Sequence, residues 1–203
     1  MKAELDHIFL FVADRSVAER LMQTAGLVTN YSRQHPGQGT TNICACLDDM
    51  FVEFLWLDGS EISAESERIG LGDRGRGAGS PIGVSWRGAA PVACDPYSAP
   101  FLPAGVTIPV AKASLDRSLP FVFQTPGGVP PIDRADGLAG ERQRPRFATL
   151  ALCEVSLPTP QQAAPLLQWC ERIELVTGQP GFRLVFVTPD GCSSQCTGFL
   201  SPI

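Results

Sequence analysis

The run LDHIFLFV at residues 5–12 constrains the fold more than any other stretch of this chain. A continuous apolar segment of β-formers reads as a strand covered on both faces. Alternation places Leu5, His7, Phe9 and Phe11 on one of those faces. Asp14 follows as a helix N-cap, and Ser16 with Glu19 matches a capping box, so a helix begins here. Val17, Leu21, Met22 and Ala25 give that helix an apolar stripe, and Gly26 ends it. Strands are expected at 27–32 and 41–47, then a tight turn at Asp48-Asp49 and a returning strand at 50–57. The order is βαβββ.

The same order returns near the C-terminus. Residues 147–157 read as a strand, and Thr159-Pro160 opens a helix through Leu166, Leu167, Cys170 and Ile173. Pro165 argues for a later start. Strands at 174–177 and 183–188, a turn at Asp190-Gly191 and a last strand ending near Leu200 complete the pattern. Laid over each other, the two ends place Asp6-His7-Ile8 on Cys153-Glu154-Val155 and Glu53 on Gln195. The expected architecture is α+β: two βαβββ modules, 1–58 and 147–203. A Gly- and Pro-rich insertion, 59–146, separates them. Within it, 82–86 and 121–124 read as short strands or pocket walls, and 125–145 reads as a mobile connection. Gly70-Leu71-Gly72-Asp73-Arg74-Gly75 matches G-x-G-x-x-G, but a helical, polar pattern precedes it where a dinucleotide fingerprint needs a strand. No nucleotide cofactor is expected.

Composition excludes several classes. Apolar residues make up 44% of 203, which suits a folded globular protein. A net charge of −5 gives no reason to expect nucleic acid or an anionic membrane as a partner. The N-terminus lacks the charge pattern and apolar core of a secretory signal, and no segment approaches the roughly 18 apolar residues of a membrane span. The expected location is cytoplasmic, with a small-molecule ligand as partner; a homodimer is left open. The seven cysteines read as free thiols, because the spacing of Cys192 and Cys196 is not that of a zinc knuckle and no second pair lies near.

Glu53 is the residue that demands an explanation. It lies inside Met50-Phe51-Val52-Glu53-Phe54-Leu55-Trp56-Leu57, and a buried carboxylate must be protonated, paired or metal-bound. The strand LDHIFLFV, the segment HPGQGTTN at 35–42 and the strand FVEFLWL together resemble the glyoxalase-like branch of the vicinal oxygen chelate superfamily. Ser80-Pro81-Ile82-Gly83 and Ser118-Leu119-Pro120-Phe121 are similar to that branch as well. The resemblance implies a cup into which four metal ligands point, a His from the first strand and a Glu from the fourth strand of each module. The metal would hold two neighbouring substrate oxygens and stabilise an enolate or oxyanion, which is lyase or isomerase chemistry.

Carried onto this sequence, the resemblance makes His7, Glu53 and Glu154 metal ligands, with Glu53 and Glu154 the catalytic acid/base pair. The fourth ligand position falls near Ser194 or Gln195 and carries no carboxylate, which also admits a binding protein that has lost catalysis. One imidazole with two carboxylates favours magnesium, manganese or zinc. An iron oxygenase triad would need His35 as well. Without a metal, His7 reads equally as a hydrogen-bonded core histidine. His35, Gln38 and Asn42 are either turn chemistry or substrate-orienting groups at the mouth. Arg87 is either an anion clamp beside an aromatic wall at Trp86 or a solvated strand end. Trp56 faces away from the cup and is core.

Overall fold

The computed structural model describes residues 2–191 and 194–202, so Cys192 lies outside the described residues. The first expected pattern forms, with its second strand at 31–35 rather than 27–32. Strand β1 (Glu4–Phe11) is followed by helix α1 (Arg15–Thr24), whose cap Asp14 accepts a hydrogen bond from the Val17 N–H. Strands β2 (Tyr31–His35), β3 (Thr40–Cys46) and β4 (Phe51–Leu57) follow. β4 returns parallel to β1, β3 pairs antiparallel with β4, and β2 forms the edge.

The partner of this half is not the C-terminal segment. Short helices α2 (Ala64–Arg68) and α3 (Leu71–Gly75) lead into β5 (Ile82–Arg87), β6 (Cys94–Tyr97), β7 (Ile108–Ala111) and β8 (Phe121–Gln124). β5 runs parallel to β8, which pairs antiparallel with β7, and β7 with β6. That repeats the pairing of β1 with β4, β3 and β2, with a loop where α1 would stand. β1 and β5 join the halves into one eight-stranded sheet, β2-β3-β4-β1-β5-β8-β7-β6. Half of the main sheet therefore comes from the stretch expected to be an insertion.

The C-terminal segment builds a second sheet. Strand β9 (Thr149–Leu157), helix α4 (Pro160–Leu167), and strands β10 (Ile173–Thr177), β11 (Gly181–Val187) and β12 (Ser194–Cys196) form the order β10-β9-β11-β12. Here β10 lies parallel to β9 on one side and β11 antiparallel on the other. The local alternation is that of a βαβββ unit. What separates the two arrangements is which edges pair, and that is decided by contacts distant in sequence. α4 starts at Pro160 after all and tolerates Pro165 near its end.

One core joins the layers. Ile8 and Leu10 of β1, and Val12 just after it, pack with Val84 and Trp86 of β5, with Val17 and Met22 of α1, and with Val155, Leu166, Phe182 and Leu184 of the C-terminal layer. Trp56 belongs to this core, as expected. The other face of the main sheet holds a second cluster: Phe9, Phe11, Leu55, Leu71, Tyr97 and Phe121. The G-x-G-x-x-G stretch lies within α3 and its cap, and Arg74 from it is fully buried. Its guanidinium donates to the carbonyls of Ser114, Ser80 and Leu119 and lies over the Phe121 ring, tying α3 to the second half-sheet. No helix of the described residues is long and apolar enough to cross a membrane.

A bulge in β1 alters the expected faces. The register with β5 shifts between Leu5 and His7, so Leu5 packs with Ile8 and Leu10 rather than with Phe9. The shift turns the consecutive side chains of Asp6 and His7 toward the same cavity.

Candidate active site

The sheet curls around a cavity of about 490 Å³. β1 contributes Asp6, His7 and Phe9; β2 contributes Tyr31, Arg33 and His35; β4 contributes Phe51, Glu53 and Leu55. Phe121 and Phe123 of β8 form the opposite wall. The segment 125–145, expected as a connection, crosses the mouth and lends residues 126–129 and 134–136 to the lining. It is fastened by buried Gln143, whose N–H donates to the Cys46 carbonyl and whose Oε1 accepts from the Val28 N–H. Phe9, Tyr31, Phe51, Tyr97, Phe101, Phe121 and Phe123 give the cavity aromatic walls, and polar and charged side chains lie among them, a mixture that suits a small-molecule site.

At its floor Asp6, His7 and Glu53 form a chain, exposed by only 2%, 5% and 6%. His7 Nδ1 lies 2.7 Å from Asp6 Oδ1, and His7 Nε2 lies 3.4 Å from Glu53 Oε2. The imidazole is stacked on Phe51, with centroids 4.2 Å apart, and meets the Phe123 ring edge-on. Asn42 Nδ2 donates to Glu53 Oε1 at 2.6 Å. The Thr125 hydroxyl donates to Asp6 Oδ1 at 2.8 Å, and Arg87 Nη1 lies 3.7 Å from Asp6 Oδ2. Burial pushes the Asp6 carboxyl up, but His7, Thr125 and Arg87 outweigh it and hold it below the ordinary value.

Glu53 is thus buried because it is paired. One oxygen is held by Asn42, and the other faces an imidazole whose far nitrogen is fixed by Asp6. Beneath it, the buried Cys44 thiol is pushed well above its usual range, first by burial and then by the Glu53 charge. Cys44 is packing, not a nucleophile.

The other expected site residues divide. His35, Gln38 and Asn42 all line the cavity. His35 is tied to the Thr40 hydroxyl and stacked near Phe101, and burial lowers its pKa. Gln38 donates to Thr40 and accepts from the Tyr97 hydroxyl, whose pKa burial raises to about 12. These contacts are turn chemistry and cavity lining at once. Arg87 does not line the cup: it pairs with Glu4 and Asp6 behind the floor, so it supports Asp6 rather than clamping an anion. Trp86 is core, packed edge-on against Trp169, and forms no cavity wall.

Glu154 is not brought to the other two. It lies on β9 in the second sheet, partly exposed, where its Oε1 accepts from Arg183 at 2.9 Å. Among the described residues, no group of three or more His, Cys, Asp and Glu side chains is placed to hold a metal ion. The second half-sheet offers no replacement. From it Tyr97, Ile108, Phe121 and Phe123 line the cavity, with Thr125 just beyond β8, and none of these is an imidazole or a carboxylate. A Cβ at Gly83 would collide with the Phe9 ring, so that ring fills the floor where a ligand from β5 would stand. These residues do not fit the four-ligand centre that the resemblance implies.

Sequence reasoning missed Asp6, Tyr31, Arg33 and Thr125. Only Asp6 gave a signal, as an acidic neighbour of His7, and strict alternation points it away from the cavity.

A family model described as a glyoxalase-like domain matches residues 5–185. A search of curated proteins finds no match. Among solved structures, a hypothetical protein from Staphylococcus aureus is similar at 11% identity and a TM-score of 0.49, over 97% of this chain and 85% of that one. A mutant of 4-hydroxymandelate synthase from Streptomyces coelicolor is similar at 12% identity and a TM-score of 0.43, over 96% of this chain and 62% of that one.

Proposed function

This chain belongs to the glyoxalase-like domain family, and we propose that its cup is the active site of a small-molecule enzyme of the isomerase or lyase kind. The reading rests on one observation: a buried carboxylate–imidazole–carboxylate chain opens on an aromatic cavity large enough for a compact substrate. Glu53 Oε2 is the base. It takes a proton from a carbon next to a carbonyl, and the electron pair left behind moves onto the carbonyl oxygen. His7 Nε2 faces that oxygen. With Nδ1–H donating to Asp6, the ring carries a proton on Nε2 only as the imidazolium; in that form the Nε2–H, 3.4 Å from Glu53, donates to the substrate oxygen. Asp6 holds the plane of the ring from the other side. Returning the proton to a neighbouring carbon completes an isomerisation; loss of a group from the adjacent carbon completes an elimination. The donor set gives no reason to route a step through magnesium, manganese or zinc.

A second reading, a binding protein without turnover, is favoured by the second half-sheet, which supplies apolar wall and hydroxyls but no acid or base. One experiment separates the two. The protein is incubated in D₂O with a panel of small carbonyl compounds, and loss of their carbon-bound protons is followed by NMR. The enzyme reading expects exchange that survives a chelator and falls by about 10²-fold or more in Glu53→Gln, the typical contribution of a general base. Binding without exchange across the panel would leave the second reading standing.

A further inference from the structure

Two arginines line the cup, and they are in different states. Arg134 is engaged: its Nη2 donates to Asp136 Oδ2 at 2.7 Å, and its guanidinium covers the Tyr31 ring. Arg33 has no carboxylate partner among the described residues. Its guanidinium lies 5.6 Å from the centre of the Phe101 ring, exposed at the mouth, and both side chains face the cavity. Every carboxylate of the lining is already spoken for: Asp6 by His7 and Thr125, Glu53 by Asn42 and His7, Asp136 by Arg134. One uncommitted fork of donors therefore faces the cavity beside the Phe101 ring.

Its position relative to the floor is fixed by the sheet. Arg33 on β2 pairs with Asn42 on β3, and Asn42 Oδ1 accepts from the Arg33 backbone N–H at 2.8 Å. The amide nitrogen of the same Asn42 holds Glu53 on β4. Arg33 and Glu53 are thus two strands and two residues of register apart, roughly 12 Å between backbones at the usual strand geometry. A flat group between them would lie among Phe51, Tyr31 and Phe101.

Resting on the reading of Glu53 as the base, we infer that the cup takes a single-ring aromatic carboxylate, its anion on Arg33 and its ring against the aromatic wall. A guanidinium fork suits a carboxylate because two parallel N–H donors match two oxygens. The rings supply affinity that a short aliphatic acid would forgo.

Calorimetric titration with three probes tests this: 3-phenylpropanoate, its uncharged amide and hexanoate. A charged hydrogen bond contributes enough that the wild type should prefer the aromatic acid over its amide by about tenfold or more. It should prefer the aromatic acid over hexanoate as well. In Arg33→Met the acid and the amide should bind alike, while Arg33→Lys keeps part of the preference. Thermal melting confirms that these exposed substitutions leave the fold intact. Equal binding of acid and amide by the wild type, a preference unchanged in Arg33→Met, or no binding of the aromatic acid would overturn the inference. Glu53→Gln distinguishes failure of the base from failure of the ligand class: if it retains the preference while no exchange occurs in either protein, the base assignment fails and the ligand class stands.

Discussion

The two halves of the main sheet share a strand order and differ in what they turn toward the cavity. The first half, β1 to β4, presents at the floor Asp6 hydrogen-bonded to His7 and Asn42 hydrogen-bonded to Glu53, with His7 Nε2 3.4 Å from Glu53. The second half, β5 to β8, presents Tyr97, Ile108, Phe121 and Phe123. A cup built from two like halves does not need like chemistry from both. Concentrating the ionisable groups on one half lets them satisfy one another, which a buried carboxylate requires. It frees the other half to be a dry wall. The difference also bears on the four-ligand centre that the resemblance implies, because a centre shared across the halves needs donors from each.

The largest effect expected from breaking this division is at the floor of the first half. Glu53→Gln keeps the volume and an oxygen to accept from Asn42, so the thermal midpoint should change little while proton exchange falls by about 10²- to 10⁴-fold. A comparable fall from a substitution confined to the aromatic wall, such as Phe123→Leu, would erase the distinction between the halves.

Next in size is Gly83→Ala. The added methyl would enter the space of the Phe9 ring at the centre of the sheet, and overpacking of this kind costs roughly 1–3 kcal/mol. Urea denaturation should show the lowered midpoint, and Phe9→Leu in the same chain should recover part of it. A neutral outcome would mean that the β1–β5 junction is looser than the packing implies.

How much of this was legible in the sequence follows from which interactions are local. The helix cap at Asp14, the turn at Asp48-Asp49 and the exclusion of Trp56 from the cup all depend on residues within a few positions, and they stand. The choice of which segment completes the sheet does not. Residues 147–187 carry a strand–helix–strand–strand pattern as clear as that of the N-terminus, whereas residues 82–124 offer short strands, no helix and many glycines and prolines. Pattern strength favoured the wrong partner, and Glu154 was carried into the site with it. The bulge was hidden for a related reason: one shifted register moves Asp6 into the cavity without changing the composition of the strand. His7 and Glu53 face the same cavity independently of both, because β1 and β4 pair directly.

A smaller effect, visible only in acid, follows from Asp6. Its folded pKa lies below the ordinary 3.8, so near pH 4 the unfolded chain binds more protons than the folded one, and stability rises with pH there. The contribution is present above the ordinary carboxylate value and lost as pH falls through the folded one. Asp6→Asn removes that group, so its thermal midpoint should decline less steeply than the wild type's below about pH 4. Equal acid slopes would mean that Asp6 does not depend on His7, Thr125 and Arg87 as its contacts indicate.

The smallest expected effect is at Glu154, and it tests the comparison from outside. Its ion pair with Arg183 is partly exposed, with side-chain exposures of 26% and 44%, on a sheet that contributes nothing to the cavity lining. Pairs of this kind contribute about 0–1 kcal/mol, and screening by solvent puts this one toward the low end. Glu154→Gln should therefore leave exchange, 3-phenylpropanoate binding and the thermal midpoint close to those of the wild type. A loss of exchange in this variant, with the fold intact, would return the second carboxylate to the site. The division of labour would then run between the N-terminal half-sheet and the C-terminal sheet instead.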